Sequence, residues 1–129
     1  MWTLAARDRY AAYEPRYAWG FANFQKTDGY VATGLGGLWL RGPYLHNGSV
    51  PTLRALLFPP AERPGQFYRG SDLVDADNGG FVSMPDKSGE RYGTLYDTSL
   101  PGNGNGGHLW GTDLPPEAKE QLLSYLKTL

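Results

Sequence analysis

The two histidines are the side chains of this sequence best suited to chemistry. His46 lies in the run Gly42-Pro43-Tyr44-Leu45-His46-Asn47-Gly48-Ser49-Val50-Pro51-Thr52-Leu53, and His108 closes a second, glycine-rich run. A neutral imidazole is the commonest metal ligand in proteins, so each histidine is a candidate. Two histidines alone make a poor zinc site, because zinc takes three or four protein ligands. The residues therefore indicate a candidate metal or cofactor site. The plainer interpretation is a pair of loop histidines, one bonded to carbonyls and one at the surface.

Two further motifs resemble catalytic or nucleotide-binding patterns but lack the surroundings that such sites need. The glycines at 102, 104 and 107 have dinucleotide-site spacing, which requires a helix directly after them, and none begins before Pro115. Ser49 and His46 would form a hydrolase only with a converging carboxylate, which proximity in sequence does not supply. Asn47-Gly48-Ser49 fits a glycosylation sequon, although a turn is the simpler interpretation. A hydrolase is the weakest of the functions that we consider.

Composition excludes several other classes of protein. The length of 129 residues predicts a single domain over 1–129. A net charge of −1 argues against nucleic acid, which requires a concentrated basic face. No apolar run approaches a membrane span, and the N-terminus has no apolar region of the signal-peptide kind. The absence of cysteine excludes disulfides and thiolate metal sites within this sequence.

The distribution of proline and glycine predicts short elements joined by ordered turns. Alanines favour a helix up to about Pro15, and Pro51 begins a short helix over Thr52–Phe58. The glycines and asparagines of 101–107 predict a tight loop, and Gln66–Arg69 and Gly79–Ser83 are candidate strands.

The most regular predicted element is a C-terminal helix beginning at Pro115-Pro116-Glu117, with proline and an acid in its first turn. One face carries residues at helical spacing, namely Ala118, Leu122, Tyr125, Leu126 and Leu129.

The run around His46 resembles the C-terminal haem domain of di-haem c-type cytochromes, relatives of bacterial cytochrome c peroxidases. It is most similar to the rubber-oxygenase-like branch, in which His-Asn-Gly-Ser-Val-Pro-Thr-Leu is characteristic. The resemblance continues through Pro60-Ala61-Glu62-Arg63-Pro64, resumes from Tyr96 to His108, and covers most of the chain after about residue 28. It implies the C-terminal portion of an incomplete cytochrome c-like domain, with a mainly α-helical fold and long ordered loops. It also implies an oxidoreductase family of peroxidases and oxygenases.

The resemblance also implies roles for individual residues. His108 matches a late histidine of that branch and would be the distal axial ligand to haem iron, with Trp110 beside it and Met84 as the reserve candidate. Tyr44, His46 and Asn47 would line the pocket or hold it by hydrogen bonds. The implied cofactor is haem c, and the implied location is periplasmic or extracellular.

The chain departs from that family in having no Cys-x-x-Cys-His attachment motif. We therefore expect Met1 to begin a fragment, a split gene product or a wrongly assigned start, inactive as an enzyme on its own. The attachment cysteines would belong to an upstream domain or chain, which would be one partner, with a redox protein as another. The alternative function is a cofactor-free, aromatic-rich module that binds carbohydrate or protein through Trp19, Trp39 and Trp110.

Overall fold

Prolines and glycines divide the described chain into short elements. A computed structural model describes residues 33–85 and 93–129. Its helices are α1 (Leu53–Leu56) and α2 (Pro116–Leu126), with single 3-10 turns at Leu38–Leu40 and Pro60–Glu62. Its strands are β1 (Gln66–Arg69), β2 (Val74–Asp75), β3 (Gly80–Phe81) and β4 (Thr94–Asp97).

The prediction of a mainly α-helical fold is wrong for the described residues. Strands β1 and β4 pair antiparallel with Phe67 opposite Tyr96, and β2 pairs antiparallel with β3. In β1 the side chain of Phe67 is buried and that of Gln66 is exposed, and glycines that break helices lie on either side, which favours a short strand here. The predicted strand Gln66–Arg69 is confirmed, whereas only Gly80–Phe81 of the second candidate forms a strand. The helix predicted up to Pro15 lies outside the described residues.

Helix α1 is only one turn long, and its amide groups are satisfied from outside the helix. The Thr52 side chain accepts a hydrogen bond from the Ala55 amide at 3.2 Å, as an N-cap does. The amides of Leu53 and Arg54 donate to the Gly79 and Asn78 carbonyls at 2.8 and 3.0 Å. A β-carbon on Gly79 would lie 3.0 Å from the Leu53 side chain, so the close approach requires glycine. The observed helix, Leu53–Leu56, is shorter than the helix predicted over Thr52–Phe58.

Helix α2 begins and ends close to the prediction, but its apolar face is rotated. Pro116 occupies the first turn with Glu117, as the sequence indicates. Leu123, absent from the predicted stripe, is the buried residue, while Tyr125 is 60% exposed. The face that packs on the core is centred on Leu123 and flanked by Leu122 and Leu126. Spacing alone could not tell these two neighbouring faces apart, because each carries leucines at helical intervals.

The core joins the run around His46 to the two helices. Its fully or nearly fully buried members are Tyr44, Val50, Leu53, Ala55, Leu57 and Leu123. Gly34–Leu129 form one compact unit, closed by a 2.7 Å hydrogen bond from the Gly37 amide to the Leu129 carbonyl. Among the described residues, no helix has the length and apolar character needed to cross a bilayer.

Candidate functional site

An apolar cleft opens beside the core, between the two helices and the segment that follows His108. Its volume is about 510 Å³, within the range of about 300–1,000 Å³ that is usual for ligand pockets. Eight leucines line it: Leu35, Leu38, Leu53, Leu56, Leu57, Leu114, Leu122 and Leu126. His108 and Asp113 are the ionisable residues among those that line it, and Trp110 stands at its edge. We call this hollow the leucine cleft.

His108 reaches the leucine cleft from an unusual backbone conformation. Its φ angle is 55°, in the left-handed region that few residues other than glycine adopt. The residues before it, 102–107, contain four glycines and form no helix or strand. The His108 ring lies 5.2 Å from the Trp110 ring, edge to face. Residues 102–108, which we call the His108 loop, thus place a half-buried imidazole beside an apolar wall.

The electrostatics of the site favour the neutral imidazole. Burial lowers the pKa of His108 below its ordinary value, and the positive charge of Arg63 lowers it further. A neutral ring keeps a nitrogen lone pair free to bind a metal, whereas a protonated ring has none. At neutral pH, His108 is therefore in the protonation state that coordination requires.

The run around His46 performs a different task, since most of it builds the core. Tyr44 and Val50 pair through two backbone hydrogen bonds of 2.6 and 3.3 Å, which close a turn that carries His46 at its exposed tip. The Tyr44 hydroxyl donates to the Leu38 carbonyl at 2.9 Å, and burial raises the pKa of Tyr44 to about 12. Neither Tyr44 nor His46 is among the described residues that line the leucine cleft.

Asn47 connects the two runs. Its side-chain amide donates to the carbonyls of Gly102 and Gly104, both at 3.0 Å, and its oxygen accepts from the Ser49 amide at 3.2 Å. The Ser49 hydroxyl also donates to the Gly104 carbonyl at 3.0 Å. Ser49 is fully buried, so it is not placed as an exposed nucleophile, which removes the basis for a hydrolase. Asn47 and Ser49 instead hold the start of the His108 loop.

The remaining predicted residues lie in separate places. Met84 is 56% exposed and borders another hollow, together with Thr52 and Asp75. Trp110 is 77% exposed, whereas Trp39 is partly buried against the core. Trp19 lies outside the described residues. The structure therefore brings His108 and Trp110 to one cleft and leaves Met84 and Trp39 elsewhere.

Arg63 is a site residue that sequence reasoning missed. It is 5% exposed and donates hydrogen bonds to the carbonyls of Asn105, Gly107 and His108 at 2.5, 2.7 and 2.7 Å. These three acceptors are backbone atoms more than forty positions away in the chain. No pattern of side-chain types records such contacts. The only hint in the sequence is an arginine enclosed between prolines in the run that resembles the cytochromes.

The described residues fit one side of a haem pocket. A porphyrin is a flat, largely apolar group, and the leucine cleft offers aliphatic walls with a neutral imidazole at the edge. The chain cannot itself attach haem covalently, since it has no cysteine to form thioether bonds. The described residues can therefore supply contact surface and one nitrogen ligand, and the chain contributes no thiol.

Comparison with known proteins agrees with the resemblance in its coarse form. Residues 29–69 match the family model described as RoxA-like, cytochrome c-like. The chain is also 42% identical over 109 residues to the uncharacterized protein y4iJ of Sinorhizobium fredii (strain NBRC 101917 / NGR234), covering 78% of this chain and 18% of that protein. It is 39% identical over 118 residues to the uncharacterized protein y4iM of the same organism, covering 78% and 27% respectively.

The chain thus spans about a fifth to a quarter of the length of these curated relatives. No solved structure matches it. The family match includes the run around His46 and ends at Arg69, before the His108 loop. Residues 29–69 are therefore similar to a cytochrome c-like region of the RoxA-like kind, and this similarity points to haem binding and electron transfer in general terms.

Proposed function

We propose that this chain supplies one side of a haem pocket in a c-type cytochrome, with His108 as an axial ligand to the iron. The observation that carries the proposal is the half-buried His108 at the edge of the leucine cleft. The haem would supply one-electron chemistry when bound. The leucines would exclude water from its face, and a dry, apolar setting is one of the means by which proteins tune haem potential.

The proposal assigns supporting roles to the run around His46. Asn47 and Ser49 would hold the first half of the His108 loop through the Gly102 and Gly104 carbonyls. Tyr44 would keep the Leu38 segment against the core through its hydroxyl. His46, exposed at the tip of its turn, would not ligate the iron bound at the leucine cleft.

Three further parts of the proposal concern the whole protein. The haem would be haem c, held through cysteines of an upstream domain or of a separate chain. Electrons would pass to or from a redox partner protein. The location would be periplasmic or extracellular, where the c-type cytochromes that the chain resembles are found. The wider activity of the parent, peroxidase-like or oxygenase-like, would belong to the complete protein.

The test uses two probes, because cleft contact and iron ligation are separable. Haemin reports on both, whereas metal-free protoporphyrin IX reports on the cleft alone. We expect wild-type chain to shift the haemin Soret band and His108→Ala to weaken haemin binding about tenfold or more, as for a lost metal ligand or its support. Protoporphyrin IX should bind both proteins equally.

His46→Ala is the matched control, since it removes the other imidazole from an exposed turn. Its haemin spectrum and affinity should equal those of the wild type. A chain in which His46→Ala abolishes the Soret shift while His108→Ala preserves it would contradict the assignment. Leu122→Asn should weaken the binding of both probes, because it places a polar group in the cleft wall.

A second candidate function is a cofactor-free binding module. The observation that favours it is Trp110, whose side chain is 77% exposed next to the exposed Leu109. An exposed indole is suited to stacking on a sugar ring or on an apolar side chain of a partner. Under this alternative, Trp110→Phe would reduce carbohydrate binding measured by calorimetry, and His108→Ala would leave it unchanged.

A further inference from the structure

Arg63 stands out among the described residues because every N–H of its guanidinium is used on the backbone. The Nε group donates to the Phe58 carbonyl at 2.9 Å, and one Nη2 hydrogen bond reaches the Leu56 carbonyl at 3.2 Å. The other three go to the carbonyls of the His108 loop. A guanidinium has five N–H groups, so the donor set is fully occupied.

The five acceptors belong to two segments that both contribute to the leucine cleft. Leu56 and Phe58 mark the end of helix α1, where Leu56 itself lines the cleft. The other three acceptors are backbone carbonyls of the His108 loop. A single planar group therefore fixes the distance between the leucine wall and the loop that bears the imidazole.

Two of these hydrogen bonds bracket His108 directly. The Gly107 carbonyl belongs to the peptide group before the His108 α-carbon, and the His108 carbonyl belongs to the peptide group after it. Anchoring both peptide groups to one guanidinium restrains the φ and ψ angles of His108 together. Those two angles set the direction in which the Cα–Cβ bond of His108 leaves the backbone, and χ1 and χ2 then orient the ring. Arg63 therefore fixes the point and direction from which the imidazole reaches the cleft.

Few other contacts of the described residues hold the loop. The side-chain amide of Asn103 donates to the Asp97 carbonyl at 2.9 Å, and that of Asn105 donates to the Pro64 carbonyl at 3.5 Å. Glycines 104, 106 and 107 have wide conformational freedom, and a β-carbon at Gly104 or Gly106 would meet no atom within 4 Å. His108 itself sits at a positive φ, which a histidine seldom adopts without support. Asn47 and Ser49 reach only as far as Gly104.

We propose that Arg63 is the positioning residue for His108, holding the imidazole toward the leucine cleft before any cofactor binds. Its consequence for iron ligation rests on the proposed function above. Lysine cannot replace it, because an ammonium has three donors on a flexible stem and cannot form the planar fork. Arg63 would act through the backbone and would not itself touch the haem.

The first experiment titrates haemin and metal-free protoporphyrin IX into the full chain carrying Arg63→Lys. Haemin affinity should fall about tenfold or more, the range typical of a residue that orients a metal ligand. Free imidazole added to the solution should restore the wild-type Soret position, since it replaces a ligand that is present but misdirected. Protoporphyrin IX binding should be unchanged. A haemin affinity and spectrum equal to those of the wild type would overturn the proposal.

Arg54→Lys is the matched control, because Arg54 forms an exposed ion pair with Glu120 instead of binding the loop. Its haemin spectrum and affinity should match the wild type. A loss equal to that of Arg63→Lys would show a general response to arginine replacement and would count against the proposal.

A second measurement needs neither a variant nor haem. In the wild-type chain, NMR should show the Arg63 guanidinium protons protected from exchange and hindered in rotation. The coupling between the amide and α protons of His108 should fit a single positive φ. Averaged couplings with a freely rotating guanidinium would refute positioning, even if Arg63→Lys failed to fold. If the wild type shows no haemin binding that depends on His108, the proposed function fails while these NMR results still decide the role of Arg63.

Discussion

The two histidine-bearing segments of this protein differ in what holds them. The run around His46 is held by burial, since Val50 and Leu53 are at most 1% exposed and Tyr44 is closed into the core. The His108 loop is held by hydrogen bonds from side chains of other segments, namely Asn47, Ser49 and Arg63.

This difference shows that the most distinctive pattern in a sequence can be structural. Proline and glycine around His46 shape a turn. Its apolar residues fill the core, and the side chains of Asn47 and Ser49 donate hydrogen bonds to the His108 loop. The group placed for chemistry lies on that second loop, whose own residues are mostly featureless glycine and asparagine. This loop is placed mainly by donors from other segments, to which its own Asn103 and Asn105 add one hydrogen bond each.

The largest difference between the two segments should appear on truncating Leu53 of the run around His46 and Leu109, which directly follows the His108 loop. Leu53→Ala removes a side chain that is 1% exposed and should lower the free energy of unfolding by about 2–5 kcal/mol. Leu109→Ala removes one that is 59% exposed and should change it by less than about 0.5 kcal/mol. Urea denaturation followed by circular dichroism measures both. Equal losses would mean that the loop is held by burial after all.

Removing the polar link between the segments should have a smaller effect. Asn47→Ala deletes donors to Gly102 and Gly104 and should cost about 1–2 kcal/mol, the net worth of one or two hydrogen bonds. Ser49→Ala should cost less, because the Gly104 carbonyl keeps Asn47 as a donor. Hydrogen exchange should show faster opening at 102–104 in the first variant only. A larger loss of stability in Ser49→Ala than in Asn47→Ala would contradict the assigned roles.

Acid should destabilise the folded chain through His108 on the second loop. Because the pKa of His108 is lowered in the folded chain, the unfolded chain binds more protons below the ordinary value of about 6.5. Stability therefore falls as pH decreases through that window, and His108→Asn should remove this part of the dependence. Haemin affinity should persist somewhat below that pH and then fall about tenfold for each further pH unit. Denaturant melts and titrations at several pH values measure the two effects.

The smallest change is expected from a glycine of the loop. A β-carbon at Gly107 would meet only the Leu45 side chain, at 3.7 Å, which is ordinary van der Waals contact. Gly107→Ala should shift the free energy of unfolding by no more than about 0.5 kcal/mol. Gly79→Ala, at a φ of 71° and 3.0 Å from Leu53, is the comparison in the core and should destabilise clearly more. Thermal melts of the two variants provide the test.

The elements marked by local chemistry were predictable from the sequence. Proline and an acid predicted where α2 begins, and Gln66–Arg69 was a candidate strand that the structure confirms. The fold class was not predictable, because β1 pairs with β4, a strand nearly thirty residues away in the sequence. Of the site, the apolar side of Leu53, Leu56 and Leu57 was visible in the sequence. The role of Arg63 was not visible in the sequence. Three of its acceptors are backbone carbonyls of the His108 loop, which become its neighbours only after folding.

The leucine cleft takes its walls from residues near both ends of the folded unit, Leu35 and Leu38 at one and Leu122 and Leu126 at the other. Such a hollow has high contact order, because its sides meet only after a long loop has closed. During synthesis it cannot exist until the last helix has emerged and docked. Capture of a prosthetic group by this surface would thus be a late event in maturation, and a bound tetrapyrrole would report that the whole unit has assembled.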